Sequence, residues 1–172
     1  HEYEEWFDVG KWKCRLHRAG HMPGACMIEI ETPTHRILWS GDLDTRDSPN
    51  TIGAKPIECD ILCLEATYGG KNHPNREEEE SKFVTAVKNI VRRGGVALVP
   101  AFASGRGQDI LRILHREAPE LNVHYDGMGT RLTRKWFDNP QHIRDPSTLE
   151  EVWKWTKKVS SKSDRKKALQ AD

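Results

Sequence analysis

The stretch RAGHMPGACMIEIETPTHRILWSGDLD, Arg18 to Asp44, decides the fold. A Gly-His pair opens it, GACMIEIETP then alternates apolar and polar residues at period two, TPTH supplies a turn, and RILWSGD is a short apolar run closing on Gly-Asp. Period-two alternation interrupted by turn residues predicts a β-hairpin. A hairpin brings its two ends together, so His21 and Asp42 are expected to face one another, each beside a glycine that lets the backbone pass close to a bound group. Imidazole nitrogen and carboxylate oxygen are both zinc donors at about 2.0–2.2 Å. Spacing alone leaves two ordinary turns as the alternative, because Gly-His and Gly-Asp are common at strand ends.

Working outward, KWKCRLHRA (Lys11–Ala19) alternates as a further strand, and Asp44 to Asn50 form a polar loop. CDILCLEATYGG (Cys59–Gly70) then reads as a buried strand that ends at Glu65 and a glycine pair. A carboxylate closing a buried strand costs free energy unless it is satisfied by neighbouring amides or used in chemistry, and Glu65 is a candidate on that ground. The ends of strands are also where open α/β sheets assemble their sites.

The period changes at Asn75. NREEEESKFVTAVKNIVRRGG begins with a residue suited to capping, continues with glutamates where the helix dipole favours anions, and spaces Phe83, Val87, Ile90 and Val91 along one face, which predicts a helix. GVALVPAF (Gly95–Phe102) follows as a buried strand, ASGRGQ as a turn, DILRILHREAPE as a helix and NVHYDG as a strand. Strands alternating with helices imply crossovers and a mostly parallel sheet. Two more helices are expected over TRLTRKWFD and PSTLEEVWKWTKK. Within FASGRGQD, amides at a helix start and the Arg106 guanidinium would suit a phosphate, although no dinucleotide or Walker pattern is present.

The chain has 172 residues, with 27 Lys and Arg against 26 Asp and Glu, so its net charge of +1 argues neither for nor against a polyanionic partner. From Val152 onward, however, Lys154, Lys157, Lys158, Lys162, Arg165, Lys166 and Lys167 face only Asp164 and Asp172, which reads either as a solvated helix face or as a polyanion contact. Four cysteines without a CxxC pair are expected reduced, and His17, His35, His73, His115, His124 and His142 are read as surface residues. No membrane span or signal segment is evident, which leads to a cytoplasmic expectation with no membrane partner. The first residue is His1 rather than Met, so a piece of a longer chain is expected.

Taken together, AGHMPGACMIEI, RILWSGDLDTRD, CDILCLEATYGG, the Asn75–Gly95 helix, VALVPAFASGRGQDILRIL and VHYDGMGTRLT resemble the metallo-β-lactamase-fold nucleases of the β-CASP group. YDGMGTRLT and SKSDRKKAL are most similar to its archaeal and bacterial RNA-processing members. The resemblance covers roughly Cys14 to Asp172. It implies an α/β architecture: residues 1–65 as the C-terminal part of a metallo-β-lactamase domain, and residues 66–172 as an incomplete β-CASP domain with a mostly parallel sheet.

The resemblance further implies that His21 is a zinc ligand, that Asp42 bridges two zinc ions and serves catalysis, and that Glu65 orients a histidine that protonates the leaving group. Ser104 and Arg106 fall in the group's substrate-facing turn. The implied activity is zinc-dependent hydrolysis of RNA phosphodiester bonds in mRNA 3′-end processing or decay, with RNA as partner. Homo-oligomerisation and processing-complex subunits stay open. The group's HxHxDH string, which supplies four ligands, does not occur in this sequence, so the segment alone is expected to lack zinc and activity. An inactive RNA-binding scaffold and a DNA-end nuclease are the alternatives.

Overall fold

The computed structural model describes residues 1–170; the last two positions of the basic C-terminal run lie outside the described residues. The chain is α/β and divides into two compact units, His1–Gly69 with Gln141–Arg144, and Gly70–Pro140 with the residues from Asp145 on.

The first unit is built on one mixed sheet, in the order β1 (Trp6–Val9), β2 (Trp12–Arg18), β3 (Cys26–Glu31), β4 (Arg36–Trp39) and β5 (Ile61–Cys63). The first four strands pair antiparallel and β5 joins β4 in parallel. β1 and β2 are joined by a two-residue turn with Gly10 in the left-handed region, a hairpin that the alternation beyond Lys11 does not announce. Between β3 and β4, the Thr32 hydroxyl accepts from the His35 amide at 2.9 Å and donates to the His35 carbonyl at 2.8 Å, which closes the expected TPTH turn.

The parallel step to β5 requires a long crossover, and residues 40–60 provide it. Part of this segment folds over one sheet face, where Ala19, Met27, Leu38 and Ala54 form a small core with Ala25, Ile57 and Cys59. Beside that core sits a polar cluster. Glu29 is fully buried and His17 is 2% exposed, so His17 is not the surface residue expected from the sequence. Its Nε2 lies 2.7 Å from a Glu29 carboxylate oxygen, and its Nδ1 lies 2.9 Å from Glu4. Arg15 donates to the same Glu29 oxygen at 2.9 Å, and Arg36 pairs with the other at 3.1 Å. Burial pushes the Glu29 carboxyl up, but the hydrogen bonds from His17 and Arg15 outweigh that and hold it below the ordinary glutamate value.

The second unit is mainly helical: α1 (Arg76–Arg92), α2 (Arg106–Glu117), α3 (Met128–Phe137), α4 (Pro146–Trp155) and α5 (Lys162–Ala168), with a two-stranded parallel pair, β6 (His124–Tyr125) and β7 (Lys157–Lys158). α1 begins as expected, with the Asn75 side chain accepting from the Glu78 amide at 3.1 Å. α4 combines an Asp145 cap with Pro146 in its first turn, and α5 carries a Ser161–Asp164 capping box. Val84 of α1 packs with Ile113 and Ala118, flanked by Phe83 and Leu121.

Two expectations need correction. The mostly parallel sheet of the second part is reduced to β6–β7, because residues 95–102 form no strand, and Leu98 and Phe102 are 85% and 84% exposed. The run around Glu65 is a strand for only three residues, and Ile61, Leu62 and Leu64 are exposed rather than buried. All four cysteines are free thiols. Among the described residues no helix is long and apolar enough to cross a membrane.

Candidate functional site

Three of the five candidate residues come together in the first unit. After β2 the chain turns through Gly20, and after β4 it turns through Gly41, both with positive φ. The two returning segments meet in an isolated antiparallel bridge between Gly20 and Leu43. The Asp44 amide donates to the Ala19 carbonyl at 2.9 Å, and the buried Thr51 hydroxyl donates to the Gly20 carbonyl at 2.8 Å. Pairing Gly20 with Leu43 places the next residue on one side, His21, opposite the preceding residue on the other, Asp42. The His21 Nε2 lies 4.0 Å from an Asp42 carboxylate oxygen. Both side chains reach solvent and line a shallow cleft of about 470 Å³ together with Met22, Pro23 and Cys26.

Only glycine fits at the crossing. A Cβ on Gly20 would run into the carbonyl oxygen of Asp44, the amide nitrogen of Ala54 and the Cα of Gly53, all of them backbone atoms, and the residue holds φ at +73°. The sequence predicted a close approach beside His21; the structure shows that the group approached is the chain's own backbone.

Glu65 follows β5, and its carboxylate is satisfied by amides. One oxygen accepts from the Leu43 amide at 2.9 Å and the other from the Thr67 amide at 3.1 Å. Hydrogen bonding by Thr67, then by the Leu43 amide, holds the Glu65 carboxyl below its usual range, with His21 adding a smaller attraction. Leu43 is the residue next to Asp42, so Glu65 grips the segment that carries the aspartate.

Zinc takes four donors in most protein sites. The imidazole and carboxylate suit it chemically and converge, but among the described residues no group of three or more His, Cys, Asp or Glu is placed to hold a metal ion. The residues present therefore fit a metal as one part of a ligand set.

Ser104 and Arg106 belong to the second unit. Gly105, at φ +82°, turns the chain into α2, so the helix starts at Arg106 rather than at Asp109 as the sequence suggested. Arg106 is exposed in the first turn, and Ser104 precedes it with its carbonyl accepting from the Arg106 amide at 3.2 Å. Gln108 is fully buried, its side-chain amide donating to the Ala103 carbonyl and the Thr133 hydroxyl, so it anchors the turn internally.

The sequence reading missed Ser40. It is 1% exposed; its hydroxyl donates to the Gly41 carbonyl at 2.7 Å and accepts from the Glu65 amide at 3.0 Å. The signal available was a serine directly before Gly-Asp at a strand end, which turn statistics alone explain equally well.

No family model matches the chain. It is similar to the Probable RNase MJ4 of Methanocaldococcus jannaschii, 36% identical over 160 residues that make up 90% of this chain and 37% of that protein. It is 31% identical over 172 residues to RNase aCSPSF2 of Saccharolobus solfataricus, covering 96% of this chain and 34% of the relative. Over 104 residues it is 39% identical to cleavage and polyadenylation specificity factor subunit 3 of Dictyostelium discoideum, which is 59% of this chain and 13% of the relative. The chain thus spans about a third of the length of the two archaeal relatives. From these similarities, the chain belongs to the β-CASP group of metallo-β-lactamase-fold nucleases.

Proposed function

We propose that this chain is part of a zinc-dependent ribonuclease that hydrolyses phosphodiester bonds in mRNA 3′-end processing or RNA decay. The observation that supports it most is the His21–Asp42 pair, 4.0 Å apart across the Gly20–Leu43 bridge. Residues 1–65 supply the C-terminal part of the metallo-β-lactamase domain, and residues 66–172 supply part of the β-CASP domain. Relatives named as ribonucleases over most of this chain's length favour RNA as substrate.

His21 would hold zinc through its imidazole, and Asp42 would hold it through its carboxylate. When bound, zinc polarises a phosphoryl oxygen and brings the ionisation of water close to neutral pH. The chain's own residues do the rest. The Glu65 carboxylate fixes the Leu43 amide and with it the direction of Asp42, and it also serves to orient a leaving-group acid. In the second unit, the Arg106 guanidinium at the start of α2 can grip a phosphate bidentately beside Ser104. The 172-residue segment by itself is inactive on this reading, because two donors leave zinc short of its ligands.

The test is zinc content and cleavage of one labelled RNA by the full-length protein, its Asp42→Ala variant and the 172-residue chain. About two zinc ions per full-length chain are expected, with both zinc and cleavage lost in Asp42→Ala. RNA binding without zinc or cleavage would replace the nuclease reading with that of a binding scaffold, and cleavage of DNA ends but not RNA would move the substrate.

A further inference from the structure

Asp42 is exposed over 75% of its side chain, and among the described residues no amide or hydroxyl holds its carboxylate in the way that of Glu65 is held. Yet a metal-binding carboxylate gains affinity from being held in place, because outer contacts that orient a ligand are worth about 10–100-fold in metal binding. The orientation must therefore come from the backbone on either side of Asp42. Both flanking residues are pinned. On one side the Ser40 hydroxyl donates to the Gly41 carbonyl; on the other the Glu65 carboxylate accepts from the Leu43 amide. The Ser40 hydroxyl also accepts from the Glu65 amide, and the Ser40 amide donates to the Cys63 carbonyl at 2.9 Å, which ties the serine to β5. The bonds close a ring from Ser40 through Gly41, Asp42 and Leu43 to Glu65 and back.

We propose that Ser40 is a positioning residue for the His21–Asp42 site: its buried hydroxyl joins the Gly41 carbonyl to the Glu65 amide and so holds the Gly41–Leu43 arch with Asp42 directed at His21. This rests on the reading of His21 and Asp42 as metal ligands. A serine hydroxyl can do this because it donates once and accepts as well, and alanine leaves both the Gly41 carbonyl and the Glu65 amide without that partner. Threonine keeps the hydroxyl.

The experiment is a cobalt(II) titration of the zinc-free full-length protein, read from paramagnetic broadening of the histidine imidazole resonances, with that of His21 assigned by its loss in His21→Asn. The wild type is expected to broaden at His21 at low cobalt and Asp42→Ala is not. Ser40→Ala should need about 10–100-fold more cobalt, and Ser40→Thr should restore the wild-type response. If the wild type broadens no more than Asp42→Ala, the metal-ligand reading itself fails and this proposal with it. If the wild type binds and Ser40→Ala, still folded by its amide spectrum, binds equally well, the role of Ser40 alone is overturned. Should Ser40→Ala not fold, Glu65→Ala opens the same ring at the Leu43 amide by removing its acceptor: it must weaken cobalt binding at His21 and speed exchange of the Leu43 amide, and an unchanged value of either overturns the proposal.

Discussion

Replacing Gly20 by alanine should damage the site from inside the backbone. The size of the effect follows from comparison with Gly10, which also holds a positive φ. A side chain in the left-handed region costs about 1–2 kcal/mol, offset by about 0.4–1 kcal/mol from the lower entropy of the unfolded chain. At Gly10 nothing lies within 4 Å of an added Cβ, so Gly10→Ala should cost about 0.5–1 kcal/mol. At Gly20 the added carbon meets three backbone atoms from the 44–54 segment, none of which can rotate away. Overpacking of this kind adds about 1–3 kcal/mol, which brings Gly20→Ala to about 2–4 kcal/mol. Amide hydrogen exchange along the β2–β3 ladder is the suitable assay, because a chain of two units need not unfold in one step and this probe reports the unit that contains Gly20. Exchange should accelerate about 2–5-fold in Gly10→Ala and about 30–1,000-fold in Gly20→Ala. If Gly20→Ala were no worse than Gly10→Ala, the crossing of residues 19–21 with 43–54 would not be the tight backbone contact that places His21 opposite Asp42.

Glu29→Gln should destabilise the first unit by about 2–3 kcal/mol, less than a fully buried pair because Arg15 and Arg36 keep partial access to solvent. Since the Glu29 carboxyl is held below its ordinary 4.5, its contribution is complete above that pH and is lost as pH falls through the lower folded value; an acid titration of stability should therefore flatten in Glu29→Gln, and an unchanged acid limb would refute the assignment. Asn75→Ala removes the cap of α1 and should raise exchange in its first turn by an amount equivalent to about 1 kcal/mol, while Asn75→Asp retains it. Gly107→Ala and Gly129→Ala both collide with the Tyr125 hydroxyl, at about 1–3 kcal/mol each. Adding Tyr125→Phe should relieve the first, where the ring carbon stands 3.2 Å away, but not the second, where it is at 2.6 Å; thermal melts of the two double variants separate these cases.

What the sequence made legible was what local rules govern. The hairpin from Arg18 to Asp44 could be read because a half-buried strand repeats every two residues, and α1 could be read because its cap and apolar face lie within one turn-by-turn pattern. His17 was misread for the opposite reason. Its burial is decided by Glu29 on β3 and Glu4 before β1, partners supplied by cross-strand register and by a hairpin whose first strand no alternation announced. The run from Gly95 to Phe102 shows the limit most directly. Its aliphatic composition satisfies every local criterion for a buried strand, but a strand is defined by the ladder beside it, and among the described residues only β6 and β7 pair in that unit. Ser40 went unnoticed on similar grounds: nothing in Ser-Gly-Asp distinguishes a turn serine from one whose hydroxyl ties Gly41 to Glu65, twenty-five residues later. The chemistry of the candidate site therefore sits at the two levels a single sequence conveys unequally. The candidate donors His21 and Asp42 are visible as residue types at hairpin ends, whereas the contacts around them (the Gly20 crossing, the Glu65 carboxylate and the Ser40 hydroxyl) exist only once separate segments have been brought to the same edge of the sheet.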